Sequence, residues 1–244
     1  MSECLKHEPC PRCRDRGSDR SGNNLGVYSD HLYCFSCGYW KSTKSGFQTL
    51  ESVQKEEKQN ASDSLPNDFS INIRVDALAW IKQYGITQKE LDKNHIGWSD
   101  EKEFLIFPVL DMEGGLIMWQ GRYFGTNQKF PKYITKGYKR DVYHVLGSGN
   151  PCVLVEDLIS AIKVSRVTSA MPLWGSSILS KQCFILSRRF ESLTIWLDPD
   201  KYNEAIKFSN RAGLFFNEVH VVLSEKDPKE HSDEEIKAYL RMAK

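Results

Sequence analysis

Two cysteine pairs near the N-terminus constrain the fold more than any other feature. CPRC (Cys10, Cys13) and CFSC (Cys34, Cys37) give C-x2-C, twenty residues, C-x2-C. A tetrahedral zinc site needs two close thiolates from each of two turns, and this spacing supplies them. Gly17, Gly22, Asn23, Asn24 and Gly26 mark turns between the pairs, and VYSDHLYCFSCGYW reads as a short hairpin with Gly38 just after the last ligand. The expectation is a zinc ribbon over residues 1–45, with one structural Zn²⁺ on Cys10, Cys13, Cys34 and Cys37. So small a unit has little core, and its folding should depend on the metal. Cys4, Cys152 and Cys183 stand singly, and the last two lie in apolar runs that read as core. His7 reads as surface, because four cysteines already fill the shell.

The ribbon also carries Arg12, Arg14, Arg16, Arg20 and Lys41 beside Tyr28, Tyr33, Phe35, Tyr39 and Trp40. Cations interleaved with aromatic rings suit single-stranded nucleic acid, where phosphates pair and bases stack. Some of those rings must instead form the small core. The formal net charge of the 244-residue chain is only +1, so such affinity must come from local patches. Hydrophobic residues at 40% and six tryptophans provide for a sizeable core. No apolar run approaches the roughly 18 residues of a membrane span, and no signal-peptide pattern is present. A soluble, cytoplasmic protein with reduced cysteines is expected.

Residues 46–66 are polar and weakly periodic, and they read as a flexible linker. Globular patterning resumes near Phe69. VDALAWIKQYG has helical spacing, and TQKELDKNHIGW opens with a Thr87-x-x-Glu90 capping box. EFLIFPVLDMEGGLIMWQGRYF predicts two strands joined by a tight turn at Glu113-Gly114-Gly115. From Gln120 to Arg140 there are six Lys or Arg and no acid, interleaved with Tyr123, Phe124, Phe130, Tyr133 and Tyr138. In a nearly neutral chain this one-sided charge suits phosphate binding. These elements make a basic α+β subdomain over 67–150.

From Pro151 the pattern alternates strand and helix, which implies a parallel sheet over 151–230 with helices on its faces. A helix at SDEEIKAYLRMA closes the chain over 231–244. CVLVED ends an apolar strand in Glu156 and Asp157, LTIWLDPD ends one in Asp198 and Asp200, and EVHVVLSEKDP runs to Asp227. Asp198 and Asp200 would share a face in extended backbone, and their repulsion calls for a metal ion, a basic side chain or water between them. In parallel sheets, groups at the carboxyl ends of strands gather at one crevice. An acidic cluster without a closed cage fits Mg²⁺, which keeps waters and takes other ligands from substrate phosphates.

Glu156 in VLVED, Asp198-Pro199-Asp200 in IWLDPD, Asp227 in EKDP and Gly175 in LWGSS resemble the Toprim pattern of DnaG-type primases, topoisomerases and RecR-like repair proteins. Toprim domains often carry Gly after the Glu and an acid a few residues on; here Asp157 and Ser160 stand in that segment. HEPCPRC and DHLYCFSCGYW are similar to the zinc-binding domain of phage primases, the kind usually fused to a replicative helicase. Ribbon, linker, basic subdomain and Toprim follow in that family's order over nearly the whole chain. The fold class is thus α/β, α+β overall.

The resemblance implies a DNA primase, a DNA-directed RNA polymerase that makes short RNA primers for replication. It implies catalytic Glu156, Asp198 and Asp200; Mg²⁺ on these and Asp227; and template or nucleotide phosphates on Arg122, Lys129 and Lys132. Glu156 stands as either metal ligand or general base. The partners implied are single-stranded DNA, ribonucleoside triphosphates and, since G-x-x-x-x-G-K-[ST] is absent, a separate helicase. Two rivals share these motifs. A RecR-like DNA-binding module joins four cysteines to Toprim, but places a helix-hairpin-helix before a more closely spaced zinc site. A Toprim nuclease would use the same metal to cut.

Overall fold

The computed structural model describes residues 4–15, 22–28, 31–34, 36–37, 39–42, 64–111, 113–137, 142–175 and 180–243. The linker lies outside them as far as residue 63, as do Arg16, Gly17, Arg20, Phe35, Gly38, Tyr138 and Arg140. The chain divides into two compact units, Met1–Lys58 and Gln59–Lys244.

In the first unit, strands β1 (Cys4–Glu8), β2 (Leu25–Tyr28), β3 (His31–Cys34) and β4 (Trp40–Ser42) form one antiparallel sheet in that order. The hairpin read from the sequence is β2–β3, with Leu25 opposite Cys34 and Val27 opposite Leu32. Helix α1 (Pro11–Asp15) carries Cys13. The buried residues are Cys10, Cys13, Leu25 and Cys34, with Leu32, Cys37 and Tyr39 packed against them. Three of the four buried side chains are thus thiols of the expected zinc set. His7 is exposed, as expected.

The second unit begins with helices α2 (Val75–Lys82) and α3 (Gln88–Lys93). Both halves of the capping box at Thr87 and Glu90 are formed. A four-stranded antiparallel meander follows: β5 (Gly97–Ser99), β6 (Phe104–Leu110), β7 (Leu116–Tyr123) and β8 (Tyr133–Gly137). The two expected strands are β6 and β7, and Asp111 Oδ1 holds their turn by accepting from Glu113 N at 2.9 Å and Gly115 N at 2.7 Å. FLIFPVL shows no alternation because both faces of β6 are covered. Leu105, Phe107 and Val109 face a cluster with Ala77, Ile81 and Leu91, while Phe104 and Ile106 pack with Trp119.

The parallel sheet has the order β10-β9-β11-β12, from β9 (Cys152–Val155), β10 (Ser169–Pro172), β11 (Ser192–Ile195) and β12 (Glu218–Val221). Helices α4 (Leu158–Ser165), α5 (Ser180–Ser187), α6 (Tyr202–Ala212) and α7 (Asp233–Met242) cover it. Leu154, Leu193 and Ile195 pack with Cys183, Phe208 and Ala212 on one face. Val153, Val155 and Trp196 pack with Ala161, Val164 and Ile236 on the other. Leu158, Ile159 and Ile162 of α4 also enter the cluster built on α2 and β6, so the meander and the parallel sheet are joined through α4. The chain leaves β9 for β10 on one side and returns to β11 on the other. The switch in strand order therefore falls between β9 and β11, where such sheets open a crevice at their carboxyl ends. Among the described residues, no helix is long and apolar enough to cross a membrane.

Candidate active site and metal centre

Cys10, Cys13, Cys34 and Cys37 place their sulfurs within 4.8 Å of one another. Cys10 Sγ lies 3.6 Å from Cys37 Sγ, and Cys13 Sγ lies 3.6 Å from Cys34 Sγ. A tetrahedron of Zn–S bonds near 2.3 Å has edges of about 3.8 Å, so the four thiols fit one zinc ion. Burial opposes ionisation of Cys34, but the backbone amides of Cys37 and Ser36 together with hydrogen bonds from the Cys10 and Cys37 thiols outweigh it and bring that thiol down to about 7. Among the described residues this is the one group of three or more Cys, His, Asp or Glu arranged closely enough to hold a metal as it stands.

The acidic edge is built differently. Glu156 follows β9 directly, and Asp198 comes three residues after the end of β11. The amide of Asp198 donates to Glu156 Oε1 at 3.3 Å. Past Asp198 the backbone turns into a 3-10 turn, Pro199–Lys201, so the two aspartates do not share the face that extended backbone would give them. Asp198 lines the crevice, whereas the Asp200 side chain is 73% exposed and pairs with Lys201 at 3.1 Å. Asp227 lies six residues beyond β12, at the start of a second 3-10 turn, Pro228–Glu230.

That second turn carries Lys229, which is not among the site residues expected from the sequence. Its ammonium donates to Asp227 Oδ2 at 2.6 Å and to Asp157 Oδ2 at 2.9 Å. The other oxygen of Asp157 accepts from Ser160 N at 2.8 Å and caps α4. For Asp157 and Asp227, the positive group that separates two carboxylates is a basic side chain. Burial alone would lower Lys229, but the charges of Asp157 and Asp198 and the bonds to Asp227 and Asp157 hold it above an ordinary lysine. The sequence signal was present in Asp227-Pro228-Lys229, where the turn sets acid and base side by side.

One ammonium does not satisfy four carboxylates. Asp198 Oδ1 is shielded from solvent and has no hydrogen-bond partner among the described residues. Burial, reinforced by Glu156, Asp227 and Asp157 against the opposing charge of Lys229, pushes Asp198 up to about 7. Burial also raises Glu156, aided by the charges of Asp200 and Asp157. An orphaned carboxylate oxygen beside a second strained carboxylate fits a hard divalent cation such as Mg²⁺.

Across the crevice stands the meander. The cleft between them, about 370 Å³, is lined by Trp80, Arg122, Lys132 and Tyr133 on one side and by Glu156, Asp198, Asp227 and Lys229 on the other. The Arg122 guanidinium lies 3.9 Å from the Trp80 ring centre and 5.4 Å from those of Phe124 and Tyr133. Its Nη1 donates to Tyr133 Oη at 2.7 Å. The aromatic walls fix a cation whose fork matches phosphate oxygens. The structure thus brings Arg122 and Lys132 to the acidic edge. Lys129 lies outside the cleft lining, exposed on the β7–β8 connection.

No protein-family model and no curated protein sequence matches the chain. Solved structures do. The zinc-binding and RNA polymerase domains of the Aquifex aeolicus primase align with a TM-score of 0.57 at 17% identity, over 98% of this chain and 78% of that one. A DnaG primase catalytic domain bound to single-stranded DNA aligns with a TM-score of 0.55 at 14% identity, over 78% and 77%. The E. coli primase catalytic core gives 0.53 at 16% identity, over 68% and 72%. The chain has the fold of the zinc-binding and RNA polymerase domains of DnaG-type primases.

Proposed function

We propose that this protein is a DNA primase, a template-directed RNA polymerase that starts short primers on single-stranded DNA. One observation carries the reading: a single cleft sets the Glu156–Asp198 edge opposite the stacked Arg122 and Lys132. Nucleotidyl transfer needs those two parts together, a site for a cation at the reacting phosphate and fixed positive groups for the remaining phosphates. The likeness to primase structures and the four-cysteine ribbon support the same reading.

In this reading Glu156 and Asp198 hold Mg²⁺, with Asp200 on the solvent side and Asp227 held back by Lys229. Bound there, Mg²⁺ would supply charge that neutralises phosphate oxygens and favours the attacking 3′-hydroxylate. Arg122 holds phosphate oxygens through guanidinium N–H groups not given to Tyr133, and Lys132 adds a second positive charge to the cleft lining. Tyr133 orients Arg122 by accepting its Nη1 proton. Asp198 and Glu156 titrate as a coupled set, and the hydrogen bond from the Asp198 backbone N–H to Glu156 Oε1 keeps their spacing. The ribbon reads template, and a separate helicase supplies unwound strand.

The test is RNA synthesis from labelled ribonucleotides on single-stranded DNA with Mg²⁺, run beside Asp198→Asn. Short RNA ladders from wild type alone support the reading. Intact, bound DNA with no RNA favours a RecR-like binding module, and shortened DNA a nuclease.

A further inference from the structure

Lys229 is placed as a cation and not as a surface base. Its side chain is only 9% exposed, and it bridges two carboxylates that come from different strands' ends. Asp157 follows β9 and is fixed by capping α4; Asp227 opens the 3-10 turn beyond β12. Pro228 is buried with Lys229, so the turn folds the lysine back onto Asp227. Two acid groups joined through one positive centre is the ligand arrangement of a bridging metal ion. Here the N–O separations of 2.6 and 2.9 Å belong to hydrogen bonds, well beyond the about 2.1 Å of Mg–O contacts.

The remaining acids differ. Glu156 and Asp198 make no ion pair among the described residues, and Asp198 Oδ1 has no partner there at all. The crevice therefore has one half whose positive charge is built in and one half whose positive charge must be supplied. We infer that Lys229 takes the place of a second metal ion, so that the centre binds one divalent cation, at Glu156 and Asp198, where a two-metal centre would bind a pair. Two-metal sites place their ions about 3.5–4 Å apart. In this chain the second of those positions is filled by a covalently attached ammonium that cannot dissociate. An ammonium has three N–H groups, and two are committed to Asp157 and Asp227. The third is left for an oxygen of a bound triphosphate in the same cleft. This inference rests on the reading of the cleft as a phosphoryl-binding centre.

Counting ions tests it without turnover. The zinc-loaded full chain is titrated with Mn²⁺, and free Mn²⁺ is followed by electron paramagnetic resonance. Manganese prefers oxygen ligands and leaves the thiolate site to zinc. Wild type and Lys229→Arg should bind about one ion, and Lys229→Ala about two, because the Asp157–Asp227 pair is then open. Lys229→Gln, which keeps the side-chain bulk, should also gain an ion, and its unfolding midpoint should rise with Mn²⁺ more than that of wild type. Equal counts in wild type, Lys229→Ala and Lys229→Gln overturn the inference, as does a wild type that already binds two. If the counts come out as expected and wild type makes no RNA, the polymerase reading fails and the assignment of Lys229 stands.

Discussion

The backbone amide of Asp198 donates to Oε1 of Glu156 at 3.3 Å, tying the ends of β11 and β9 together at the switch in strand order. The bond uses the main chain of Asp198, so Asp198→Asn removes charge and leaves this link in place. RNA synthesis by Asp198→Asn should fall at least about 100-fold, the scale of losing a preorganised charge at a reacting centre. Binding to single-stranded DNA, read by fluorescence anisotropy, should stay close to wild type. If binding is lost as well, the variant has misfolded and the assignment gains nothing from it.

The same residue should make stability depend on pH. Asp198 sits at about 7 in the folded chain, because it is buried among other acids. The unfolded value is about 3.9, so the folded state binds the proton more tightly. Its contribution to stability is therefore full below about pH 4 and is lost as pH rises towards 7. Asn carries no such charge. Without added divalent cation, the unfolding midpoint of Asp198→Asn relative to wild type should rise by roughly 3 °C or more between pH 5 and pH 8, at roughly 2–4 °C per kcal/mol for a domain of this size. A difference that stays flat across that range would remove the buried acid from the account.

Arg122 lies against the rings of Trp80, Phe124 and Tyr133 and donates to the Tyr133 hydroxyl, an arrangement that a planar guanidinium satisfies in one position. Arg122→Lys keeps the charge and loses the stacking, so it should raise the Michaelis constant for ribonucleotides about tenfold. Lys132→Ala should weaken nucleotide or template binding and flatten the salt dependence. Lys129→Ala should do neither, because Lys129 does not line the cleft. Equal effects of the two lysine changes would mean the basic stretch acts as one undivided patch.

The ribbon should stand or fall with its metal. Its buried set is Cys10, Cys13, Leu25 and Cys34, which leaves little apolar surface to hold the sheet once zinc is gone. Cys34→Ser should drop bound zinc from about one per chain towards none and impair initiation on the preferred template. The unfolding midpoint of the second unit should not move, since Gln59–Lys244 has its own cores. Normal initiation by the zinc-free variant would exclude the ribbon as the template reader.

These sites were legible to different degrees for physical reasons. The cysteine set and the capping box at Thr87 are local patterns, and local spacing carries them. The strands that end just before Glu156 and Asp198 are short apolar runs buried on both faces, which a parallel sheet requires. Strand β8 was hidden inside the basic stretch because it pairs only with β7 and its residues are exposed or half-buried. It ends at Gly137, where φ is +95° and a Cβ would lie 2.5 Å from the Ile117 carbonyl oxygen. Asp198 and Asp200 diverge because Pro199 starts a 3-10 turn, whereas a shared face requires extended backbone. For Lys229 only the contact with Asp227 is local; its other partner, Asp157, lies 72 residues away, and the sheet brings them together.

A similar long-range contact holds the second unit's halves in register. Arg166 follows α4 and grips Glu90 with two parallel bonds, Nε to Oε1 at 2.8 Å and Nη2 to Oε2 at 2.9 Å. Nη2 also donates to the Gly85 carbonyl at 2.9 Å, and Nη1 lies 3.4 Å from Asp233 Oδ1. One side chain thus joins the α2–α3 corner, the end of α4 and the start of α7. Arg166 and Glu90 side chains are 23% and 21% exposed, so removing one partner costs more than at a surface bridge and less than at a dry one. Arg166→Ala should cost about 2 kcal/mol and lower the unfolding midpoint of the second unit by roughly 4–8 °C. Arg166→Lys should recover little, because a point charge cannot make the paired bonds or reach Gly85 at the same time. Glu90→Gln in the Arg166→Ala background should cost less than in wild type, since its charged partner is already gone. Additive costs in that double-mutant cycle would mean the clamp is incidental, and that the two halves are held by the apolar contacts of Leu158, Ile159 and Ile162 alone.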